Sequence, residues 1–455
     1  MITPRFSCSQ NDSSLIISVY CPSVRASDVE IHVEGPLFTL HINPYFLRLN
    51  FPHNLLDDDD DDASSATYDP SSGYLTVILS KEVKGQEFKD LDLLARLLAT
   101  PTASTRQPSI EVLSTSATTE RGRSAERDEI LDAARNDWRL PHVPEVQIET
   151  SSQAWYGFLN MHSGYFRHVK HSENEINELG PDAETCRVDE RREHRIGNED
   201  RKFDAEHYMA DYLETDVIQD LLQWDHPSLS AGRAKEIQFT DEEKLAMLNL
   251  PRKEYLATSQ QTHDLYLTLA TILFSYAYES RTTQHDPTPE SAWTICNLTP
   301  AFSALDPPTS SAAEKESFDK FTHDRIRKAL IPSYRRSLAF PLYRSFALAD
   351  ACWQDVAKLL SGGKRIVFRC LLEMKMILDH HEVYYVYSKI WVDDFCVWIQ
   401  ACASDDALAQ LATCIAETDI KKGDIGWDLE GLEKMARAEL EREIDSDDES
   451  IGDIG

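Results

Sequence analysis

Residues 1–98 alternate apolar and polar positions with a period of two. Leu15, Ile17 and Val19 make one apolar face. Val29, Ile31 and Val33 are interleaved with Glu30, His32 and Glu34, and Phe38, Leu40 and Ile42 with Thr39 and His41; Leu75, Val77 and Leu79 share a face further on. Successive strand side chains point to opposite faces, so each run offers one side to a core. Cys21-Pro22, Gly35-Pro36, Asn43-Pro44, Phe51-Pro52 and Ser71-Ser72-Gly73 separate the runs. About six or seven short strands at this spacing predict an antiparallel β-sandwich. Leu91, Leu94, Leu97 and Leu98 then take helical spacing and are expected to cap that sandwich.

The pattern lapses over residues 99–145. Thr, Ser, Pro and Ala dominate its first part, which has too little apolar surface to offset chain entropy and reads as a flexible linker. From residue 146 the period becomes 3.6. Leu265, Leu269, Ile272, Leu273 and Tyr276 form one stripe; Val367, Cys370, Leu371, Met374, Ile377 and Leu378 form a second; Tyr387, Ile390, Trp391, Phe395 and Trp398 form a third. These predict amphipathic helices around a shared interior, a mostly α-helical domain over residues 146–435. Residues 436–455 have little to bury after Leu440 and read as an acidic disordered tail. The fold class is therefore β followed by α, in more than one domain.

Composition narrows the function. With 46 basic and 78 acidic residues in 455, the formal net charge is −32. That excess argues against direct nucleic-acid binding or an anionic membrane surface and is compatible with a basic partner. No apolar run approaches the roughly 20 residues of a membrane span, and Met1 to Arg5 lead into mixed sequence with no signal peptide. The nine cysteines are scattered without a C-x-x-C pair, as reduced thiols are. A nuclear or cytosolic compartment follows, in which the two N-x-[ST] matches at Asn11 and Asn297 are coincidental.

Catalytic motifs are near misses. Gly362-Gly363-Lys364 suggests a phosphate loop, but Arg365 stands where the hydroxyl residue belongs and Lys358 replaces the first glycine; it reads as a tight connection before a helix. His381-Glu382 lacks the second histidine of a metalloprotease, and no Gly-x-Ser-x-Gly elbow occurs. Asp57 to Asp62 is a solvated run without the spaced ligands or glycine of an EF-hand. No catalytic residue, metal site or cofactor is assigned, and the chain is read as no enzyme; a cryptic metal-dependent hydrolase is the remote alternative.

Two acidic features stand out. Between Glu199 and Asp220, carboxylates are interleaved with Phe203, Tyr208, Tyr212, Leu213 and Val217, as in a segment that buries aromatics and shows acids. A solvated helix face and a docking surface for a basic partner both fit. In the tail, Ser446 is followed by Asp447, Asp448 and Glu449, the context of an acidophilic kinase site; phosphorylation there would add about −1.5 to −2 charges.

Longer matches identify a family. Met1-Ile2-Thr3-Pro4, Asn43-Pro44-Tyr45-Phe46-Leu47-Arg48-Leu49, Tyr68-Asp69, Gly73-Tyr74-Leu75-Thr76-Val77 and Lys81-Glu82 with Gly85 and Phe88 resemble the N-terminal CS domain, a small-heat-shock-like sandwich, of the Shq family. Arg201-Lys202-Phe203-Asp204, His207-Tyr208, Tyr276-Ala277-Tyr278-Glu279, Arg281-Thr282-Thr283, Glu290-Ser291-Ala292-Trp293 and Ala339-Phe340-Pro341-Leu342-Tyr343-Arg344 resemble its helical domain. The resemblance implies an assembly chaperone of H/ACA ribonucleoproteins, taking part in ribosome biogenesis. Such a protein clamps the PUA region of the pseudouridine synthase (dyskerin-type) subunit before guide RNA loads, in the nucleoplasm and also the cytoplasm, as a monomer. The tail resembles a phospho-motif read by AAA+ helicase assembly machinery. On this reading the partner contacts are Asp204, Glu206, Asp211, Glu214, Asp216 and Asp220, with Tyr278, Glu279, Arg281 and Glu290 from the second motif. The alternative is a general CS-domain co-chaperone of the ATP-driven heat-shock chaperone.

Overall fold

The computed structural model describes residues 3–22, 29–42, 45–56, 64–69, 72–98, 154–167, 174–230, 238–309 and 320–449. The aspartate run, the linker 99–145, residues 450–455 and the Ser446 side chain lie outside what is described.

Among the described residues, seven strands follow the period-two pattern: β1 (Arg5–Gln10), β2 (Ser14–Tyr20), β3 (Glu30–Glu34), β4 (Leu37–Ile42), β5 (Tyr45–Asn50), β6 (Ser64–Asp69) and β7 (Tyr74–Ser80). They form two antiparallel sheets, ordered β1-β2-β7-β6 and β3-β4-β5. Register places Leu15 opposite Leu79, Ile17 opposite Val77 and Val19 opposite Leu75, so the alternating residues of two strands form one apolar face. Phe38 and Leu40 of β4 and Leu47 and Leu49 of β5 supply the other sheet's buried positions. A one-residue slip would turn every one of these side chains to solvent, which is why the pattern specifies the register.

The helix after the sandwich, α1 (Leu94–Leu98), does more than cap it. Leu94 and Leu97 are buried, and α1 packs against β5 and also against α5 (Asp241–Leu248) and α11 (Asp393–Ala401) of the helical region. The Ala95 amide donates to Gln400 Oε1 at 3.2 Å. Just before α1, Asp90 accepts from Lys364 Nζ at 2.9 Å, and Asp92 takes both terminal nitrogens of Arg365. The described residues up to 98 and from 154 onward belong to one compact unit.

The remaining main helices are α2 (Val188–Lys202), α3 (Ala205–Leu213), α4 (Thr215–Gln223), α6 (Ser259–Thr282), α7 (Ser291–Leu298), α8 (His323–Ala339), α9 (Phe346–Ser361), α10 (Lys364–Asp379), α12 (Asp405–Glu417) and α13 (Leu429–Glu449). Helix α6 starts at a capping box, in which Thr258 Oγ1 accepts from the Gln261 amide and Gln261 Oε1 from the Thr258 amide. Its expected stripe is buried, but so is every other residue from Leu265 to Arg281. A helix enclosed on all sides is a core element; α4, α7, α8, α9 and α10 pack around it. The hydroxyls of Thr271 and Ser275 answer to carbonyls of their own helix at 2.7 and 2.8 Å, so these polar residues cost little inside. The tail expected to be disordered from residue 436 is corrected as far as Glu449. Ala436 is fully buried, α13 packs along α3, and that contact carries the helix past the expected boundary.

Candidate functional site

Helices α3 and α4 form the acidic edge anticipated from the sequence. Asp204 starts α3 as its N-cap, accepting the amides of His207 and Glu206 at 3.1 and 3.0 Å; those bonds hold its carboxyl below the ordinary range. Phe203 stacks on Trp427 at 4.0 Å, and buried Tyr208 donates to Glu433 Oε1 of α13 at 2.8 Å. With the aromatics turned inward, Asp204, Glu206, Glu214, Asp216 and Asp220 face solvent. Among the described residues no lysine or arginine lies within ion-pair distance of any of the five. Unpaired carboxylates on two consecutive short helices give this edge a negative potential.

Asp211 belongs to the same segment but not to its surface. It is 8 % exposed and accepts the Arg344 amide at 2.7 Å. The second motif is corrected in the same way. Tyr278 is buried, its hydroxyl donates to the Tyr343 carbonyl at 2.7 Å, and burial pushes that hydroxyl well above the usual tyrosine range. Glu279 is buried, which raises its carboxyl, while hydrogen bonds with Ser291 and Thr294 pull it back. Arg281, 3 % exposed, donates to Asp355 Oδ2 at 2.6 Å and to the carbonyls of Leu221 and Trp224, both at 2.8 Å. It therefore closes the C-terminal end of α4 against α9. Glu290, just before α7, is exposed, and Trp293 is half-buried against the core.

Asp211 and Tyr278 converge on the turn 340–345. Tyr278 holds the Tyr343 carbonyl and Asp211 the Arg344 amide, while His207 Nε2 donates to the Leu342 carbonyl at 3.2 Å and Arg344 Nε to the Pro341 carbonyl at 3.3 Å. So restrained, the turn displays Leu342 at 69 % exposure beside α3. Sequence reasoning found the Pro341-Leu342-Tyr343-Arg344 match but missed this outward leucine. An isolated leucine in an apolar motif reads as core; only the turn geometry reverses it.

A second polar cluster lies inside. The Ser228 amide donates to His226 Nδ1 at 3.2 Å, His226 Nε2 is 3.0 Å from the Tyr276 hydroxyl, and that hydroxyl donates to Glu373. This chain of donors leaves His226 neutral with its proton on Nε2. Burial, with His285 and Arg281 nearby, holds its pKa down to about 4. Gly363, in the glycine-lysine motif, has φ +84°, and a Cβ there would meet Asp405 Oδ1 at 2.9 Å. The same carboxylate accepts the Lys364 amide at 2.7 Å, so Asp405 occupies the amide a phosphate would need, and Lys364 and Arg365 hold Asp90 and Asp92. Among the described residues there is no group of His, Cys, Asp and Glu able to hold a metal ion, and no helix long and apolar enough to cross a membrane.

Known proteins share this arrangement of sequence. A family profile described as SHQ1 protein, Shq1 domain, matches residues 229–429, and one described as SHQ1-like, CS domain, matches residues 3–98. The chain is 36 % identical to Protein shq1 of Schizosaccharomyces pombe over 99 % of both chains. It is 33 % identical to the Protein SHQ1 homolog of Xenopus tropicalis over 97 % of this chain and 71 % of that one. With the mouse (Mus musculus) homolog the identity is 30 %, over 97 % and 76 %.

Proposed function

The chain belongs to the Shq1 family, and from that premise we propose that it is a non-enzymatic assembly chaperone for H/ACA ribonucleoproteins. It binds the dyskerin-type pseudouridine synthase at the basic PUA surface that guide RNA later occupies, in the nucleoplasm and also the cytoplasm. The observation that carries this reading is the edge made by Asp204, Glu206, Glu214, Asp216 and Asp220, exposed and unpaired beside Leu342. Carboxylates stand where phosphates would otherwise sit, speed encounter with a basic surface and repel competing acidic ones. The leucine gives the contact an apolar centre, which charge alone does not provide. The acidic tail from Glu439 to Gly455 adds to the negative charge of the chain and, once phosphorylated at Ser446, serves as the handle for AAA+ helicase assembly machinery.

The test uses the full-length chain carrying Asp204→Lys, Glu206→Lys and Asp216→Lys, titrated with the purified synthase subunit at low and high salt. The expected result is a loss of about tenfold or more in affinity at low salt, shrinking as salt is added. Guide RNA is expected to compete with the wild-type chain. Unchanged affinity at low salt, or binding indifferent to guide RNA, overturns the RNA-site reading and favours a co-chaperone acting through its CS domain.

A further inference from the structure

Strands β1, β3, β5 and β6 edge the two sheets, and three of these edges are guarded. Helix α1 packs on β5, β3 carries Glu30 and Glu34, and β6 ends in Asp69; Val33 of β3 and Asp69 also make further contacts. Guards of this kind keep a foreign strand from pairing with a sheet. The remaining edge, β1, has none of them. Its sequence Arg5-Phe6-Ser7-Cys8-Ser9-Gln10 contains no proline, lysine or carboxylate. Strands β1, β2 and β7 together carry one charged side chain, Arg5, in a chain whose net charge is −32.

The register fixes which groups this edge offers. In an antiparallel pair, opposed residues alternate between those that exchange backbone hydrogen bonds and those that do not. The Asn11 amide donates to the Ser14 carbonyl at 2.9 Å, which makes Ser9–Ile16, Ser7–Ser18 and Arg5–Tyr20 the bonded pairs of β1 and β2. The Cys21 amide donates to the Gly73 carbonyl at 2.9 Å, which turns Leu15, Ile17 and Val19 toward β7 and leaves the same three pairs to β1. The amides and carbonyls of Phe6 and Cys8 therefore point away from β2, and among the described residues nothing takes them up. Both ends of the strand are pinned. Arg252 donates to the Thr3 hydroxyl, and the Gln10 side-chain amide makes two 2.9 Å hydrogen bonds with the Phe88 backbone. A row of donors and acceptors held in place beforehand loses little freedom when a strand is added.

We propose that β1 takes up an extended segment of a partner protein, uncharged along the edge and of net positive charge, as the next strand of its sheet. Alternation assigns the guest's side chains. On the outward face they lie beside exposed Ser7 and Ser9 and are small or hydroxyl-bearing; on the inward face they lie beside buried Phe6 and half-buried Cys8 and are apolar. The sign of the charge follows from the rest of the chain. A net −32 repels an acidic segment and a second copy alike, and draws a basic one. The contact is independent of the acidic edge on α3 and α4, which works through side-chain charge, whereas β1 works through its backbone.

Residue-resolved hydrogen exchange of the full-length chain tests the assignment, with and without a short peptide of alternating threonine and valine that carries a lysine at each end. The few backbone bonds on offer put its affinity at about 1 mM, so it is used at about ten times that concentration. The Phe6 and Cys8 amides are expected to exchange about tenfold more slowly with the peptide present, while those of Ser7 and Ser9, already in the ladder, do not change. The same peptide N-methylated at its valines, which alters nothing in the protein, is expected to give no protection. Cys8→Pro removes an outward N–H at an edge position that tolerates proline, and is expected to abolish the protection of Phe6. Three results overturn the proposal: unchanged exchange at Phe6 and Cys8, equal protection by the N-methylated peptide, or equal protection by a peptide with glutamate in place of lysine. A dimer of the free chain in sedimentation equilibrium that Cys8→Pro dissociates also overturns it, giving the edge to a second copy.

Discussion

Residues 204–220 and residues 276–293 both mix aromatic with charged side chains, and both read as contact segments. In the first, five carboxylates stand in solvent with no ion-pair partner among the described residues; in the second, Tyr278, Glu279 and Arg281 are buried. The difference is pairing. Arg281 is tolerated inside because Asp355, 74 residues away, and carbonyls at the end of α4 satisfy its guanidinium. Asp211 is the exception that makes the same point, since it is the one acid of the first segment with a backbone donor from a distant turn, and it is the one that turns inward. The polar residues of a motif thus hold a surface in shape as readily as they form it.

Removing Arg281 is the largest lever: Arg281→Ala leaves buried Asp355 with only the half-exposed Lys358, 3.5 Å away, strips the Leu221 and Trp224 carbonyls of their donor, and is expected to cost about 3–5 kcal/mol of unfolding free energy. Chemical denaturation measures this. A cost below about 1 kcal/mol, near the small values of surface substitutions, would put Arg281 with the edge carboxylates instead.

Acidification is next. His226 is held near pKa 4 in the folded chain against 6.5 as the reference value. Between those values the unfolded chain binds the proton and the folded one does not, so stability falls as pH falls through that window. From pH 6.5 to 5 the contribution is about 2 kcal/mol. His226→Gln is expected to flatten this part of the profile, and a variant as pH-sensitive as wild type would show that the ring is not buried neutral.

The smallest effect is the most informative. Tyr278→Phe removes the hydrogen bond to the Tyr343 carbonyl and is expected to cost about 1–2 kcal/mol in stability. It should also weaken synthase binding at high salt, where the charged edge contributes least, because the turn carrying Leu342 loosens. A stability loss with binding unchanged under those conditions would remove Leu342 from the contact.

Much of the architecture was legible in the alternation of Leu15, Ile17 and Val19 and in the 3.6-residue stripes, since burial on one face imprints a period. Helix α6 shows where that reasoning stops: enclosed on all sides, it has no polar face to mark its boundaries of burial, and only part of it registered as a stripe. The docking of α1 was illegible for another reason. Leu94 and Leu97 announce a buried face but not which neighbour buries it, and Asp90 and Asp92 find Lys364 and Arg365 more than 270 positions later. Of the site, the acidic edge was readable because uncompensated like charges belong at a surface. Leu342 and the inward turn of Asp211 were not, since each depends on one restrained turn.

The anchoring of α1 means that the sandwich and the helices are joined by more than the covalent chain. Leu98 and Ala154 both belong to one body. Within it, Leu94, Leu97 and the Asp92–Arg365 clasp bind the end of the sandwich to the helical region. Were the chain severed between residues 98 and 154, these contacts would remain to hold the two pieces together as one object.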